Sequence, residues 1–323
     1  MRAVCVVGLG LIGGSVLRAA VRAGRPAWGF TSSTSDSEAA RAAGFDVRST
    51  VDEAVGEAAA REALVVVAVP LPAVDEVLRT VASLAPSCLL TDVVSVKQPV
   101  AEAVARLVPG ARYAGGHPMQ GRSESGWVSG SETLFDGAAW VVVADEDTDL
   151  GPWREAAELA LDCGAHVVPT TAGEHDAAVA RVSHLPHVLA AVLAATGADG
   201  GPLALALAAG SFTDGTRVAG TRADLVLAMC EGNRPALLDA VDDALGRLGA
   251  ARGALASTGG LAATIRAGNA GRAELMGLRS AERGEVRVDL TDPEAFDDLR
   301  SLGAGGGRVL RFDGTVAIAD LPG

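Results

Sequence analysis

The sequence predicts an α/β fold in which a doubly wound parallel sheet is followed by an all-α domain and a short α/β tail. Two observations carry that reading. Apolar, β-branched runs alternate with segments of helical spacing over the first half of the chain, and a glycine-rich turn joins the first such run to the first helix.

Taken in order, Ala3–Val7 reads as a buried strand, a glycine turn follows, and a helix runs from Leu11 to Ala23. Ala27–Thr31, Leu64–Pro70, Cys88–Asp92 and Arg112–Ala114 read as strands, with helices over Pro72–Leu84 and Pro99–Leu107, and Ala138–Ala144 and Ala165–Pro169 as further strands. Past Ala172 the pattern changes to Ala/Leu-rich helical segments that persist to about Arg283. The tail alternates again: strand Val286–Leu290, helix Pro293–Leu302, strands Arg308–Phe312 and Thr315–Ala319. This organisation divides the chain into an α/β domain (1–170), a helical domain (171–283) and a small C-terminal α/β extension (284–323).

Composition narrows the function. With 49% apolar and 21% charged residues among 323, the chain can bury a full core, and with aromatics at 3% that core is built of Ala, Val and Leu. A net charge of −13 with no basic block argues against nucleic-acid or anionic-membrane binding, and obliges any anionic substrate to find a locally positive pocket. Cys5, Cys88, Cys163 and Cys230 are far apart, with no metal-ligand spacing, so no metal is expected and reduced, mostly buried thiols are. The short apolar N-terminus runs straight into glycines and does not read as a signal peptide, and no stretch reads as a bilayer span; a cytoplasmic location is expected.

Gly8-Leu9-Gly10-Leu11-Ile12-Gly13 matches GxGxxG between a strand and a helix, the context that gives the motif meaning as a Rossmann dinucleotide loop. Gly8 permits the turn, Gly10 lets the backbone approach a pyrophosphate, Gly13 lets the helix pack on the sheet, and the N–H groups around Leu11 and Ile12 face the phosphates. Where NAD enzymes carry an acid for the ribose, this chain reads Phe30-Thr31-Ser32-Ser33-Thr34-Ser35, with no carboxylate before Asp36 and no arginine before Arg41. Thr31 and Ser32 suit a 2′-phosphate as well as a hydroxyl, so NAD and NADP both stay open.

Three clusters gather the unusual polar residues. Asp92-Val93-Val94-Ser95-Val96-Lys97 follows a strand end and holds the only lysine among 27 basic residues. A helix cap with a solvated lysine is the bland alternative. Gly115-Gly116-His117-Pro118-Met119 places a histidine in a constrained loop, suited to proton abstraction near neutral pH. Ser183-His184-Leu185-Pro186-His187 sets two imidazoles three apart on a helix that the proline would kink. Downstream, Thr213-Asp214-Gly215-Thr216-Arg217 supplies a guanidinium fork for a substrate carboxylate, or simply an exposed arginine.

Together GLGLIGGS, DVVSVK, GGHPM, SHLPH and TDGTR, in this order over residues 1–283, resemble the prephenate/arogenate dehydrogenase family, and its actinobacterial branch in particular. The resemblance implies NAD(P)-dependent oxidative decarboxylation of prephenate to 4-hydroxyphenylpyruvate, in tyrosine biosynthesis. It implies His117 as proton acceptor, Ser95 between His117, nicotinamide and substrate, Arg217 on a carboxylate, and His184, His187 and Ser183 along the substrate site. It also implies a homodimer through the helical domain. The sequence departs from the family at Gln120, where many members have alanine, and at Ser123-Glu124, where the family's Ser/Thr-Glu pair is displaced by one. It departs again at Thr213, where many have arginine, and at Ala219–Val226, which lacks the usual Asp-Pro and Trp. Arogenate or an amino-deoxy analogue therefore stands as an alternative substrate. Other oxidoreductases of this architecture would be expected to place a lysine on the helical domain, which has none; a non-catalytic dinucleotide sensor is the alternative of another class. The tail does not read as a full amino-acid-sensing domain.

Overall fold

Five strands form the first sheet: β1 (Val4–Val7), β2 (Ala27–Phe30), β3 (Leu64–Val67), β4 (Leu89–Asp92) and β5 (Arg112–Tyr113). Their order is β2-β1-β3-β4-β5 and every pairing is parallel. The computed structural model describes all residues except Ser123, so the Ser123 departure noted above lies outside the described residues. The period of two explains the unbroken apolar strands. Val4, Val6, Leu64 and Val66 face one hydrophobic layer while Cys5, Val7, Val65 and Val67 face the other, so both faces are covered.

The second sheet is where the structure departs from expectation. β6 (Gly116–Pro118), β7 (Ala139–Val143) and β8 (His166–Thr170) leave the first sheet and combine with β9 (Arg283–Asp289), β10 (Arg308–Asp313) and β11 (Val316–Pro322) in the order β6-β7-β8-β10-β11-β9. β7 and β8 are parallel, and the other pairings are antiparallel. The tail is thus no appendage. Val309 pairs with Val167, and Leu299, Leu302, Val309 and Ala317 belong to the same buried layer as Val142 and Trp153. Apolar alternation announced strands here but could not say which sheet they would join. Cys5 and Cys163 are buried, Cys88 and Cys230 partly so, and all four are free thiols.

From Ala172 the chain is helical as far as Ser280. The helix Ala172–Val179 opens with a capping box, Thr171 and Glu174 bonding each other's backbone N–H. It passes through a π turn, Ala180–His184, into Leu185–Asp199. Pro186 follows the π turn directly, and the wide turn makes room for its ring. The run Ala172–Asp199 is 28 residues and contains an 18-residue window of mean hydropathy 1.4, long and apolar enough by length and composition to cross a membrane, which corrects the expectation that no such stretch exists. Much of the helical domain is uncovered by its own chain: Val182, Leu203 and Leu207 are exposed, and the helix Ala262–Ser280 buries no residue at all.

Candidate functional site

A cleft of about 930 Å³ runs along the carboxyl ends of β1, β2, β3 and β4, and is closed on the far side by β6, by the segment after it and by the helical domain. Gly8, Gly10, Leu11, Ile12, Thr31, Ser32, Ser95, His117 and His187 all line it. The glycine loop is built for a close ligand. Gly8 has φ +106°, and a Cβ on Gly13 would stand 1.9 Å from the Gly8 carbonyl oxygen, so neither position accepts a side chain. Gly10 faces open space and begins the helix Leu11–Arg22 without a side-chain cap, leaving N–H groups for an anion. The loop therefore fits a dinucleotide pyrophosphate.

Past β2, a smaller hollow of about 320 Å³ adjoins the cleft, walled by Thr31, Ser32, Thr34, Ser37, Glu38, Arg41 and Ser49. Arg41 is held there by two bonds from its guanidinium to the Val47 carbonyl, at 3.2 and 3.1 Å. Asp36 lines the main cleft, and its Oδ1 accepts the Trp127 N–H at 2.8 Å.

His117 reaches the cleft from β6, whose position depends on Gly116: a Cβ there would lie 2.6 Å from the Asp92 carbonyl oxygen. Behind β6 lies a buried polar network. Asp92 receives the ammonium of Lys97, the Tyr113 hydroxyl at 2.6 Å and the Val94 N–H at 2.8 Å, and Lys97 also donates to the Gly116 carbonyl at 2.6 Å. The lone lysine is thus neither a solvated cap nor part of the cleft wall; it is 1% exposed and fastens β4 to the strand carrying His117. Burial lowers its pKa, opposed by the charge of Asp92, while burial and the same carboxylate push the Tyr113 phenol well up.

Two residues passed over in the sequence complete the surroundings of His117. His117 Nδ1 lies 2.8 Å from His175 Nε2, and His175 Nδ1 lies 2.7 Å from Asp176 Oδ1. Asp176 in turn accepts the N–H groups of Lys97 and Gln98 at 2.8 and 2.9 Å. Burial holds the His117 pKa well below the ordinary histidine value, helped by His175, Lys97 and His184, so the ring is a neutral base at pH 7. Burial also lowers His175 against the pull of Asp176. For Asp176, burial acts upward, but the bonds from His175 and the two backbone amides prevail and hold the carboxyl low. The signal available in the sequence was His175-Asp176 adjoining a capping box, with only five histidines in the chain.

The other expected substrate residues scatter. His187 lines the cleft, whereas His184 and Ser183 do not. His184 is fully buried with Nδ1 3.1 Å from the Asn233 amide, and Asn233 also donates to the Asp176 carbonyl at 2.7 Å. His184 ends the π turn and points into the protein, while His187, three residues on, reaches the cleft wall. Arg217 is exposed and outside the cleft of its own chain. Arg222, a residue sequence reasoning missed, lines the cleft together with Arg122, is forked on Asp224, and reaches the Ser125 hydroxyl at 3.2 Å.

Comparison with known proteins agrees with this geometry. Residues 22–169 match the nucleotide-binding domain model of prephenate dehydrogenase, and residues 171–259 match its dimerisation domain model. Prephenate dehydrogenase of Bacillus subtilis is 30% identical over 250 residues, covering 74% of this chain and 66% of that protein. The chain thus spans about two thirds or less of the curated relatives first matched, the share being 61% for the Lactococcus lactis enzyme. Among solved structures, a protein of Corynebacterium glutamicum provisionally named prephenate dehydrogenase is 42% identical with a TM-score of 0.89, covering 95% of this chain and 98% of that one. Synechocystis arogenate dehydrogenase is 28% identical with a TM-score of 0.70, covering 84% and 99%. With both of the family's domains matched in sequence and the fold matched over nearly its full length, the chain belongs to the prephenate dehydrogenase family.

Proposed function

We propose that the protein oxidatively decarboxylates prephenate to 4-hydroxyphenylpyruvate for tyrosine biosynthesis, with arogenate as the alternative substrate. The observation that carries the reading is a neutral, desolvated His117 on the wall of a cleft that begins at the glycine loop. A dinucleotide bound there supplies the hydride acceptor. His117 Nε2 takes the proton of the substrate hydroxyl as hydride leaves the carbinol carbon. The bond to the ring carboxylate then breaks, carbon dioxide departs, its electron pair aromatises the ring, and the resulting phenolate recovers the proton. To Ser95, on the same wall, we assign a hydrogen bond to the reacting hydroxyl.

The substrate is a dianion inside an acidic protein, so cations on the wall decide its binding. We assign a substrate carboxylate to Arg222, which lines the cleft of its own chain as Arg217 does not. His187, whose Nδ1 is buried with no partner among the described residues, supplies a further polar contact. The hollow holding Thr31, Ser32 and Arg41 supports NADP over NAD, because it offers hydroxyls and a guanidinium to a 2′-phosphate and no carboxylate directly after β2; Glu38 on its wall tempers that preference.

A homodimer goes with the proposal. The helix Ala262–Ser280 buries nothing in its own chain, and the exposed leucines of the helical domain need a cover, which a second copy meeting the same faces provides. We place the enzyme in the cytoplasm, where nicotinamide dinucleotides are recycled. The test is the appearance of reduced nicotinamide with prephenate or arogenate against NAD or NADP. Turnover that disappears in His117→Ala while the dinucleotide still binds supports the reading; silence in every combination overturns it.

A further inference from the structure

We propose that His175 and Asp176 form a positioning relay behind His117, presetting which of its nitrogens accepts the substrate proton and sharing that proton's charge until it is returned. The inference rests on the reading of His117 as the base.

The polarity of the chain follows from its far end. Asp176 is held ionised by the amides of Lys97 and Gln98, which open the helix Gln98–Leu107, so it can only accept. His175 must therefore carry its hydrogen on Nδ1, 2.7 Å from Asp176 Oδ1. A neutral imidazole with Nδ1–H has a lone pair on Nε2, and that atom lies 2.8 Å from His117 Nδ1. His117 must then donate from Nδ1, which leaves its Nε2 lone pair for the cleft. The ring centroids lie 5.0 Å apart, the separation that two ring edges bonded nitrogen to nitrogen would give. His175 and Asp176 are 2% and 1% exposed, so water does not compete for these bonds.

The bonds balance without a co-reactant. The substrate O–H breaks and His117 Nε2–H forms; His117 Nδ1–H yields its proton to His175 Nε2, while His175 Nδ1–H stays on Asp176. When the ring aromatises, the phenolate oxygen takes the proton from His117 Nε2, and His117 Nδ1 recovers its own from His175. The positive charge spends that interval one ring away from the cleft, beside a carboxylate. Without that carboxylate it would face Lys97, whose charge opposes protonation of both rings.

The experiment combines steady-state kinetics with ¹⁵N-histidine NMR on the full chain. In the unaltered protein, His117 is expected as the Nδ1–H tautomer. His175→Leu should lower kcat by roughly 10²-fold with substrate KM and dinucleotide Kd unchanged. His175→Gln, which can still donate to Asp176 and accept from His117, should recover about tenfold of that loss. Asp176→Asn keeps an oxygen where Oδ1 accepts both the His175 ring and the Lys97 amide but removes the charge, so His117 should stay Nδ1–H while kcat falls about tenfold. An Nε2–H His117 in the unaltered protein overturns the relay without recourse to any variant. So does a His175→Leu enzyme whose kcat stays within about twofold, or whose loss lies in KM alone. Silence of the unaltered protein with both substrates overturns the proposed function instead and leaves the tautomer result standing.

Discussion

Replacing Lys97 with Met tests whether the lone lysine is architectural. Met matches the stem in length and removes the ammonium, leaving the Asp92 carboxylate, itself 1% exposed, without its countercharge. Breaking a buried ion pair from one side costs about 3–5 kcal/mol, because the remaining charge stays desolvated. Asp92 would keep the Tyr113 hydroxyl and the Val94 amide, at 2.6 and 2.8 Å, which argues for the lower end, about 3 kcal/mol. For a chain of this size that corresponds to a fall of roughly 6–10 °C in Tm. The Gly116 carbonyl would lose its donor as well, so β6 and His117 should loosen and kcat should fall alongside. Lys97→Arg should not rescue stability, because the site is closed and a planar guanidinium does not fit where an ammonium meets Asp92 and Gly116. Differential scanning calorimetry of the dinucleotide-free protein is the assay. A fall in Tm of less than about 2 °C for Lys97→Met would refute the reasoning, since it would mean that the ion pair carries little of the stability.

Arg41→Ala should raise the KM for NADP about tenfold and leave that for NAD unchanged; equal effects on both would remove the hollow beside Thr31 and Ser32 from the argument. Arg222→Ala should raise substrate KM by one to two orders of magnitude, roughly the worth of a charged hydrogen bond, while a rise confined to Arg217→Ala would return the carboxylate to that residue. Because burial lowers His117 well below the ordinary value, kcat/KM should stay flat from pH 8 down past 6.5 and fall only in more acidic buffer, so an acid limb centred at 6.5 would count against a buried base. His184 is lowered to about 4 by burial, so its folded form binds fewer protons than the unfolded chain. Its contribution to stability is full above the unfolded value of 6.5 and is lost as pH falls towards 4, a slope in Tm that His184→Asn should flatten.

What the sequence disclosed followed the strength of local physics. The strands of the first sheet were legible because a strand buried on both faces must be apolar at every position, and Leu64–Val67 can be little else. The glycine loop was legible because backbone geometry excludes side chains at Gly8 and Gly13. Sheet membership was not, since Val309 pairing with Val167 is a contact across 142 positions that no local period encodes. Arg217 and Arg222 illustrate the same limit. Both are arginines in short polar turns, and only the break between the 3-10 turn Arg217–Gly220 and the helix Ala223–Gly232 turns the second towards the cleft.

The buried network marks where local reading ends and function begins. Asp92, Lys97 and Asp176 lie on three separate elements, and each would be destabilising alone in a dry interior. Together each satisfies another. Lys97 donates its ammonium to Asp92 and its amide to Asp176; Asp176 accepts from His175 at its carboxylate and from Asn233, at the start of the helix Arg234–Ser257, at its carbonyl. One connected set of bonds therefore ties the first sheet, the strand bearing His117 and the helical domain. An apolar core could have joined these parts with equal strength, but it would not set which nitrogen of His117 is bare. The cost of burying these charges is met where it fixes the protonation state of the one ring that has to accept a proton.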